Sequence, residues 1–325
     1  VKVSVILPTL NAEKYLVKLI GKLQQQTLKP HEIIVIDSRS DDGTVLLAKR
    51  LGAKVMSVER EEFDHGGTRN LAAQKASGDA IVYMTQDAMP QHEYFLEEIV
   101  APLSDTNVAA VCGRQIARSE STVLEQMTRD INYPELYIHK TLADLDRYGI
   151  KLFFFTNVCS AIRRDTFLKL GGFPAPIILN EDMMIAAKCI TNGFAVVYNP
   201  RASVIHSHDY TLKKQFKRNF DIGVSMSMNE WIFQYARAEK EGGRLVKEQL
   251  GRLWRQGNWK WIPRWFAEAG AKYLGYRLGV SYKKLPVWLR RKFSMHPDFW
   301  FNYHKSQIVR EPVIFKAEAQ SVSNH

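Results

Sequence analysis

Short apolar runs alternate with segments of helical periodicity over the first two hundred residues, and few folds accommodate that alternation. Residues 3–7 (VSVIL), 32–37 (EIIVID), 54–58 and 80–85 read as strands, because each is a brief apolar run bounded by turn formers. Between them, residues 12–25 carry Tyr15, Leu16, Leu19, Ile20 and Leu23 at helical spacing. Residues 44–51, closed by Gly52, and 68–76, ended by Ser77-Gly78, continue as helices. Residues 108–112 and 153–162 read as later strands, and 182–192 as an amphipathic helix. Strand and helix in alternation imply an α/β fold on a doubly wound, mostly parallel sheet, with ligands at the carboxyl ends of the strands.

From about residue 211 the strand signals stop. The remainder reads as a C-terminal helical appendage broken at Gly242-Gly243, Pro263 and Pro286, ending in a poorly ordered tail. The expected division is 1–210 for the α/β unit, 211–310 for the helical region and 311–325 for the tail. Charge follows this division. Between Arg244 and Lys292, thirteen Lys and Arg stand against Glu248 and Glu268, which accounts for the whole net charge of +11. The same segment holds Trp254, Trp259, Trp261, Trp265 and Trp288, five of the seven tryptophans. Cations interleaved with Trp on helices suit docking on an anionic membrane surface, with a packed appendage bearing a solvated basic face as the alternative. Nucleic acid is not an expected partner, since no recognised module accompanies the basic residues. No stretch approaches the roughly 18 apolar residues of a spanning helix. Three widely spaced cysteines and no signal peptide ahead of the first strand point to the cytoplasm, at most peripheral on the inner face of the membrane, and away from disulfide or zinc roles.

Three strand ends carry polar residues: PTLN at 8–11, DSRSDDGT at 37–44 and TQD at 85–87. Turn chemistry alone explains the first two taken singly. Their convergence at one sheet edge points instead to a ligand site. Asp87 is informative because Asp is a poor strand residue and costly to bury unpaired. His206 and His208 follow a strand-like run, and alternation places both rings on one face. Asn180-Glu181-Asp182 opens the amphipathic helix, where the macrodipole favours acids. In FDHGGTRN (63–70), Gly66-Gly67 permits close backbone approach and Arg69 sets a cation at a helix start.

As an ordered set over residues 3–210, SVILPTLNAEKYL, VIDSRSDDGT, GGTRNLA, TQDA and NEDMMIAAK resemble glycosyltransferase family 2 on the GT-A fold. The resemblance implies a nucleotide-sugar donor whose base and ribose are held by Thr9, Asn11 and Asp37, with Pro8, Ser40, Arg69, Gln86 and Asp87 completing the site. It makes Asp87 the remaining carboxylate of an Asp-x-Asp whose first position here is Thr85, binding Mg2+ or Mn2+ against the diphosphate. A single carboxylate beside phosphate oxygens and water suffices for such a cation. His206 is implied as a further metal ligand with His208 as alternate, Asp182 as the general base of an inverting transfer, and Glu181 as an orienting or capping neighbour. The DSRS, TQDA and HSHDYTLKKQFKRNFDIG variants resemble bacterial rhamnosyltransferases, which implies dTDP-L-rhamnose as donor and a glycan or lipid-linked saccharide as acceptor in surface polysaccharide synthesis. A UDP- or GDP-sugar is the alternative donor. The Gln-x-x-Arg-Trp motif of processive relatives is missing, since Asn219 follows Gln215-Phe-Lys-Arg218, so transfer of one or few sugars is expected. A sugar nucleotidyltransferase is disfavoured because PTLNAE stands where its Gly-rich basic loop belongs. A non-catalytic membrane-binding module rests on the charge segment alone.

Overall fold

The computed structural model describes residues 1–235 and 239–303; the expected tail lies outside the described residues. In chain order the elements are β1 (Val3–Thr9), α1 (Glu13–Gln24), β2 (Glu32–Asp37), α2 (Thr44–Arg50), β3 (Lys54–Ser57), α3 (His65–Lys75), β4 (Ala80–Met84), β5 (Met89–Pro90) and α4 (Phe95–Val100). There follow β6 (Val108–Ile116), α5 (Val123–Asn132), β7 (Ile138–Lys140), α6 (Leu145–Tyr148), β8 (Cys159–Arg163), α7 (Arg164–Lys169), α8 (Glu181–Thr191) and β9 (Ala195–Ile205). The rest is helical, with α9 (Leu212–Met228), α10 (Glu239–Arg255), α11 (Ile262–Val280) and α12 (Val287–Phe293).

The strands form one sheet in the order β3-β2-β1-β4-β8-β6-β9-β5, with β7 beside β9. The first four run parallel, β8 runs against both its neighbours, and β6 and β9 are again parallel. Both faces are covered. Val3, Val5 and Leu7 pack with Leu16, Leu19, Ile20 and Leu23 of α1 on one side. Ile6, Ile34, Ile36 and Tyr83 pack with Ala72 and Ala73 of α3 and Met184 of α8 on the other. A strand buried on both faces needs apolar residues throughout, which is why VSVIL and EIIVID read as continuous apolar runs.

Three elements depart from the sequence expectation. Helix α3 begins at His65, before the expected residue 68, because the Asp64 side chain accepts from the Gly67 N–H and caps it. The apolar stretch 153–162 is not one strand: a 3₁₀ turn ends at Phe153 and the strand begins only at Cys159. Phe153 and Phe155 are apolar because they pack into the core from a loop. Helix α10 runs through Gly242-Gly243 without a break and stops near Gly257, whose φ of 69° is the left-handed conformation that ends helices. Pro263 lies in the first turn of α11, where its missing N–H costs no hydrogen bond, and Pro286 immediately precedes α12.

The helical region is joined tightly to itself and to the sheet. A Cβ on Gly279 or Gly275 of α11 would lie 2.0 and 2.3 Å from the Phe220 and Phe216 carbonyl oxygens of α9, so these helices meet backbone to backbone. Ile178 packs with Phe220, Tyr282 and Trp300, while Leu124 and Met127 of α5 pack with Leu253 and Trp265.

Candidate functional site

Strands β1 and β2 are in register with Thr9 beside Asp37, so their carboxyl ends emerge together. The side chains there bind one another. Asp37 is buried and its carboxylate accepts from the Thr9 hydroxyl (2.9 Å), the Ser40 hydroxyl (2.6 Å) and the Ser40 N–H (2.8 Å). Asn11, at φ 50°, donates its N–H to Ser40 Oγ and accepts the Asp41 N–H on its side-chain oxygen. Gln86 is clamped to the Leu10 backbone, accepting its N–H at 2.9 Å and donating to its carbonyl at 3.1 Å. The turn chemistry and the shared sheet edge expected of these segments are thus both realised. Pro8, Thr9, Leu10, Thr85 and Gln86 face a cavity of about 400 Å3, which Phe63, His65 and Arg69 also line.

Asp87 lies beyond the end of β4, two residues before β5. That two-residue strand pairs Met89 with Ile205, which sets Asp87 against the residues just after β9. Its carboxylate oxygens stand 3.5 Å from His206 Nε2 and 3.4 Å from His208 Nε2, and one ligand atom from each residue lies within 4.8 Å of the others. Burial opposes ionisation of Asp87, but the hydrogen bond and positive charge that His206 and His208 supply when protonated outweigh it and hold the carboxyl well below its usual range. The tautomer of His206 is set from behind. Gln115 spends its amide N–H groups on Tyr133 Oη (2.7 Å) and Thr156 Oγ1 (3.0 Å), so its oxygen faces His206 Nδ1 at 3.0 Å. A ring that donates from Nδ1 presents a lone pair at Nε2. Burial, aided by His206, lowers His208 to about 4 and leaves it neutral near pH 7. Two imidazole lone pairs and a carboxylate facing one another, each an acceptor, fit a divalent cation, and the Gln115 contact is the outer hydrogen bond such ligands use.

A second acidic cluster sits at the start of α8, where Asn180 adopts φ 63°. Asp182 accepts the Met183 N–H (2.8 Å) and the Asn157 N–H (3.3 Å). Burial first, then the adjacent Glu181 carboxylate, raise Asp182 well above the usual range, against the lowering effect of those N–H groups and Arg69. Glu181 is buried, accepts from Asn157 Nδ2 at 3.0 Å and pairs with Arg69 at 3.4 Å. Arg69 also donates to the His65 carbonyl (2.8 Å), and its Nε is buried with no hydrogen-bond partner. Its guanidinium is therefore held on Glu181 at the cavity wall.

A carboxylate with two imidazoles and a cavity at the carboxyl ends of strands, with a separate carboxyl of raised pKa at the start of α8, form a transferase-like arrangement. The sequence model of glycosyl transferase family 2 matches residues 4–171. The chain belongs to glycosyl transferase family 2. It is 40% identical over 308 residues to the O-antigen chain rhamnosyltransferase RfbN of Salmonella typhimurium, covering 94% of this chain and 98% of that one. It is 41% identical to the O-antigen chain rhamnosyltransferase WbaN of Salmonella anatum, over 87% and 90% of the two chains. In fold it is similar to the mannosyltransferase PcManGT from Pyrobaculum calidifontis, solved in complex with GDP-Man and Mn2+, at TM-score 0.58 and 18% identity over 87% of this chain and 88% of that one. Staphylococcus aureus TarS 1–349 superposes at TM-score 0.55 and 18% identity, over 94% and 92% of the chains.

As a family 2 glycosyltransferase the chain has a GT-A sheet, and its strand ends gather the residues that the motifs single out. One part of the site has no sequence signal. Met295, His296, Pro297, Asp298 and Phe299 come back from the end of the helical region to line the same cavity as Pro8 and Thr9. No spacing rule connects residue 296 with residue 65, yet their Nε2 atoms are 3.3 Å apart. The helical region beyond β9 therefore supplies a wall of this family 2 site.

Proposed function

We propose that the chain is an inverting rhamnosyltransferase that moves L-rhamnose from dTDP-L-rhamnose to a hydroxyl of a lipid-linked glycan acceptor in surface polysaccharide synthesis. The observation that carries this reading is 40% identity along nearly the whole of an O-antigen chain rhamnosyltransferase, joined to a site with the parts such a transfer needs. Asp182 takes the proton of the acceptor hydroxyl as that oxygen bonds to the anomeric carbon. The bond from that carbon to the diphosphate breaks, its electron pair leaving with the nucleoside diphosphate, and the configuration inverts. A base whose pKa is raised toward neutrality is suited to that task near pH 7. Glu181 is held by Arg69 and Asn157, and its charge keeps Asp182 basic. Asp87 and His206, with His208 beside them, would hold a divalent cation, which supplies charge stabilisation for the departing diphosphate. The mixed imidazole and carboxylate set favours Mn2+ over Mg2+. Pro8, Thr9 and Gln86 shape the donor cavity, while Asn11, Asp37 and Ser40 fix the turns that carry it.

A membrane-facing role for the helical region is supported by its exposed aromatic side chains. Trp254 and Trp259 are stacked at 5.5 Å and stand mostly in solvent, as does Trp288. They lie among the Lys and Arg of the basic segment, a composition suited to peripheral binding at the inner face of the cell membrane. Among the described residues no helix is long and apolar enough to cross a membrane.

The products test the reading. Incubation with dTDP-L-rhamnose, Mn2+ and extracted lipid-linked acceptor should release dTDP together with a rhamnosylated acceptor. Release of pyrophosphate from dTTP and a sugar 1-phosphate, with no transfer from dTDP-L-rhamnose, would instead identify a nucleotidyltransferase.

A further inference from the structure

Residues 294–299 belong to none of the family motifs, yet they are clamped in place more firmly than a surface loop requires. Ser294 is fully buried, its carbonyl accepts from Lys217 Nζ at 3.1 Å and its hydroxyl oxygen accepts the His296 N–H at 2.9 Å. The Met295 N–H donates at 2.7 Å to Asp221 Oδ2 in the middle of α9. Asp221 is itself fully buried, and its other carboxylate oxygen has no hydrogen-bond partner. On the far side Trp300 is buried against Phe220 and Tyr282. A turn fixed at both ends presents His296 to the cavity.

The protonation of His296 follows from its neighbours. An Arg can only donate, so the contact between Arg69 Nη1 and His65 Nδ1 (3.4 Å) makes Nδ1 the acceptor and leaves the His65 proton on Nε2. That proton faces His296 Nε2 at 3.3 Å, which accepts it. Burial, reinforced by nearby cations, holds His65 well below its ordinary range and lowers His296 to about 4, so both rings are neutral. His296 then carries its proton on Nδ1, a donor for which the described residues offer no acceptor.

We infer that His296 reads the donor: its Nδ1–H hydrogen-bonds an acceptor oxygen of the nucleotide-sugar in the cavity, and Asp221 is the positioning residue that sets it there. The cavity suits such a ligand, since about 400 Å3 lies within the usual range for small-molecule sites. This rests on the donor reading given above. It adds that the helical region, through His296, takes part in holding the donor.

The test is calorimetric binding of dTDP, UDP and GDP, each with Mn2+, to the full chain and its variants, followed by donor KM and kcat for whichever sugar is transferred. His296→Phe should weaken binding and raise donor KM about fivefold to tenfold, the worth of one neutral hydrogen bond, with kcat and acceptor KM nearly unchanged. His296→Gln keeps an N–H donor and should restore most of the loss. Asp221→Ala should raise donor KM likewise, and Asp221→Asn, which still accepts the Met295 N–H, should recover it. Melting temperatures of all four variants identify any that fail to fold, and His296→Gln keeps the comparison open if His296→Phe does. Equal nucleotide affinity in wild type and folded His296→Phe would overturn the inference while leaving the transferase reading intact. Tight binding of UDP or GDP, with the same loss in His296→Phe, would support it and displace only the choice of dTDP. No binding of any nucleotide to the wild type would overturn both.

Discussion

Asp182 and Asp87 are two aspartates at one sheet edge whose environments drive their pKa values apart. Asp87 sits between imidazoles and stays ionised, while Asp182 sits beside Glu181 in a partly desolvated corner and is raised. Divergent pairs of this kind separate a charge-holding role from a proton-taking role. Asp182→Asn should lower kcat by about a hundredfold or more, the usual contribution of a general base, while nucleotide affinity stays within twofold. Unchanged kcat would remove Asp182 as the base. The wild-type pH profile carries the same signature. A base acts only when ionised, so kcat should fall as pH drops through the raised pKa, placing the acid limb nearer neutrality than an ordinary carboxylate would. A limb near pH 4 would contradict the assignment. Most of these residues were legible because aspartates and histidines at strand ends break the local pattern. Arg69 was singled out as a candidate position but its contacts were not legible, because its pairing with Glu181 joins two helices more than a hundred residues apart. His296 was not legible at all, since nothing local distinguishes it.

At the level of elements, buried strands and α1 were readable because their periodicity is set by burial on two faces or on one. The two-residue β5 was not, although it sets Asp87 against His206, because so short a strand has no pattern of its own. The helix breaks assigned to Gly242-Gly243, Pro263 and Pro286 rested on propensity. The helix runs on through the first, and the prolines proved to mark helix starts. Glycines in the helical region have opposite meanings that only packing reveals. At Gly279 a methyl group would meet the Phe220 carbonyl, whereas at Gly270 it would meet nothing within 4 Å. Gly279→Ala should therefore destabilise by about 1–3 kcal/mol, and Gly270→Ala should stabilise by about 0.5–1 kcal/mol through helix propensity. Chemical denaturation of the two variants checks the pair, and equal effects would contradict the close approach of α9 and α11.

Over the whole molecule, one region carries all the net charge, most of the tryptophan and a wall of the donor cavity. Trp265 is buried, with its indole N–H donating to Gln249 at 2.8 Å, so part of the Trp-rich composition serves packing. Trp254, Trp259 and Trp288 remain for a surface. If that surface is a membrane, the chain should sediment with vesicles containing anionic lipid and be released as salt rises toward 0.5 M, and Trp254→Ala with Trp259→Ala should halve the bound fraction or more. Equal sedimentation with neutral vesicles, or none with either, would assign the aromatic residues another partner. Metal-assisted recognition of a nucleotide-sugar at the strand ends is measured by calorimetric titration of dTDP-L-rhamnose, UDP-glucose, UDP-N-acetylglucosamine and GDP-mannose, with Mn2+, Mg2+ or chelator, into the wild type and Asp87→Ala. The prediction is selective binding of dTDP-L-rhamnose that strengthens at least tenfold with Mn2+ in the wild type and not in Asp87→Ala. Binding that ignores both the cation and Asp87 would contradict it.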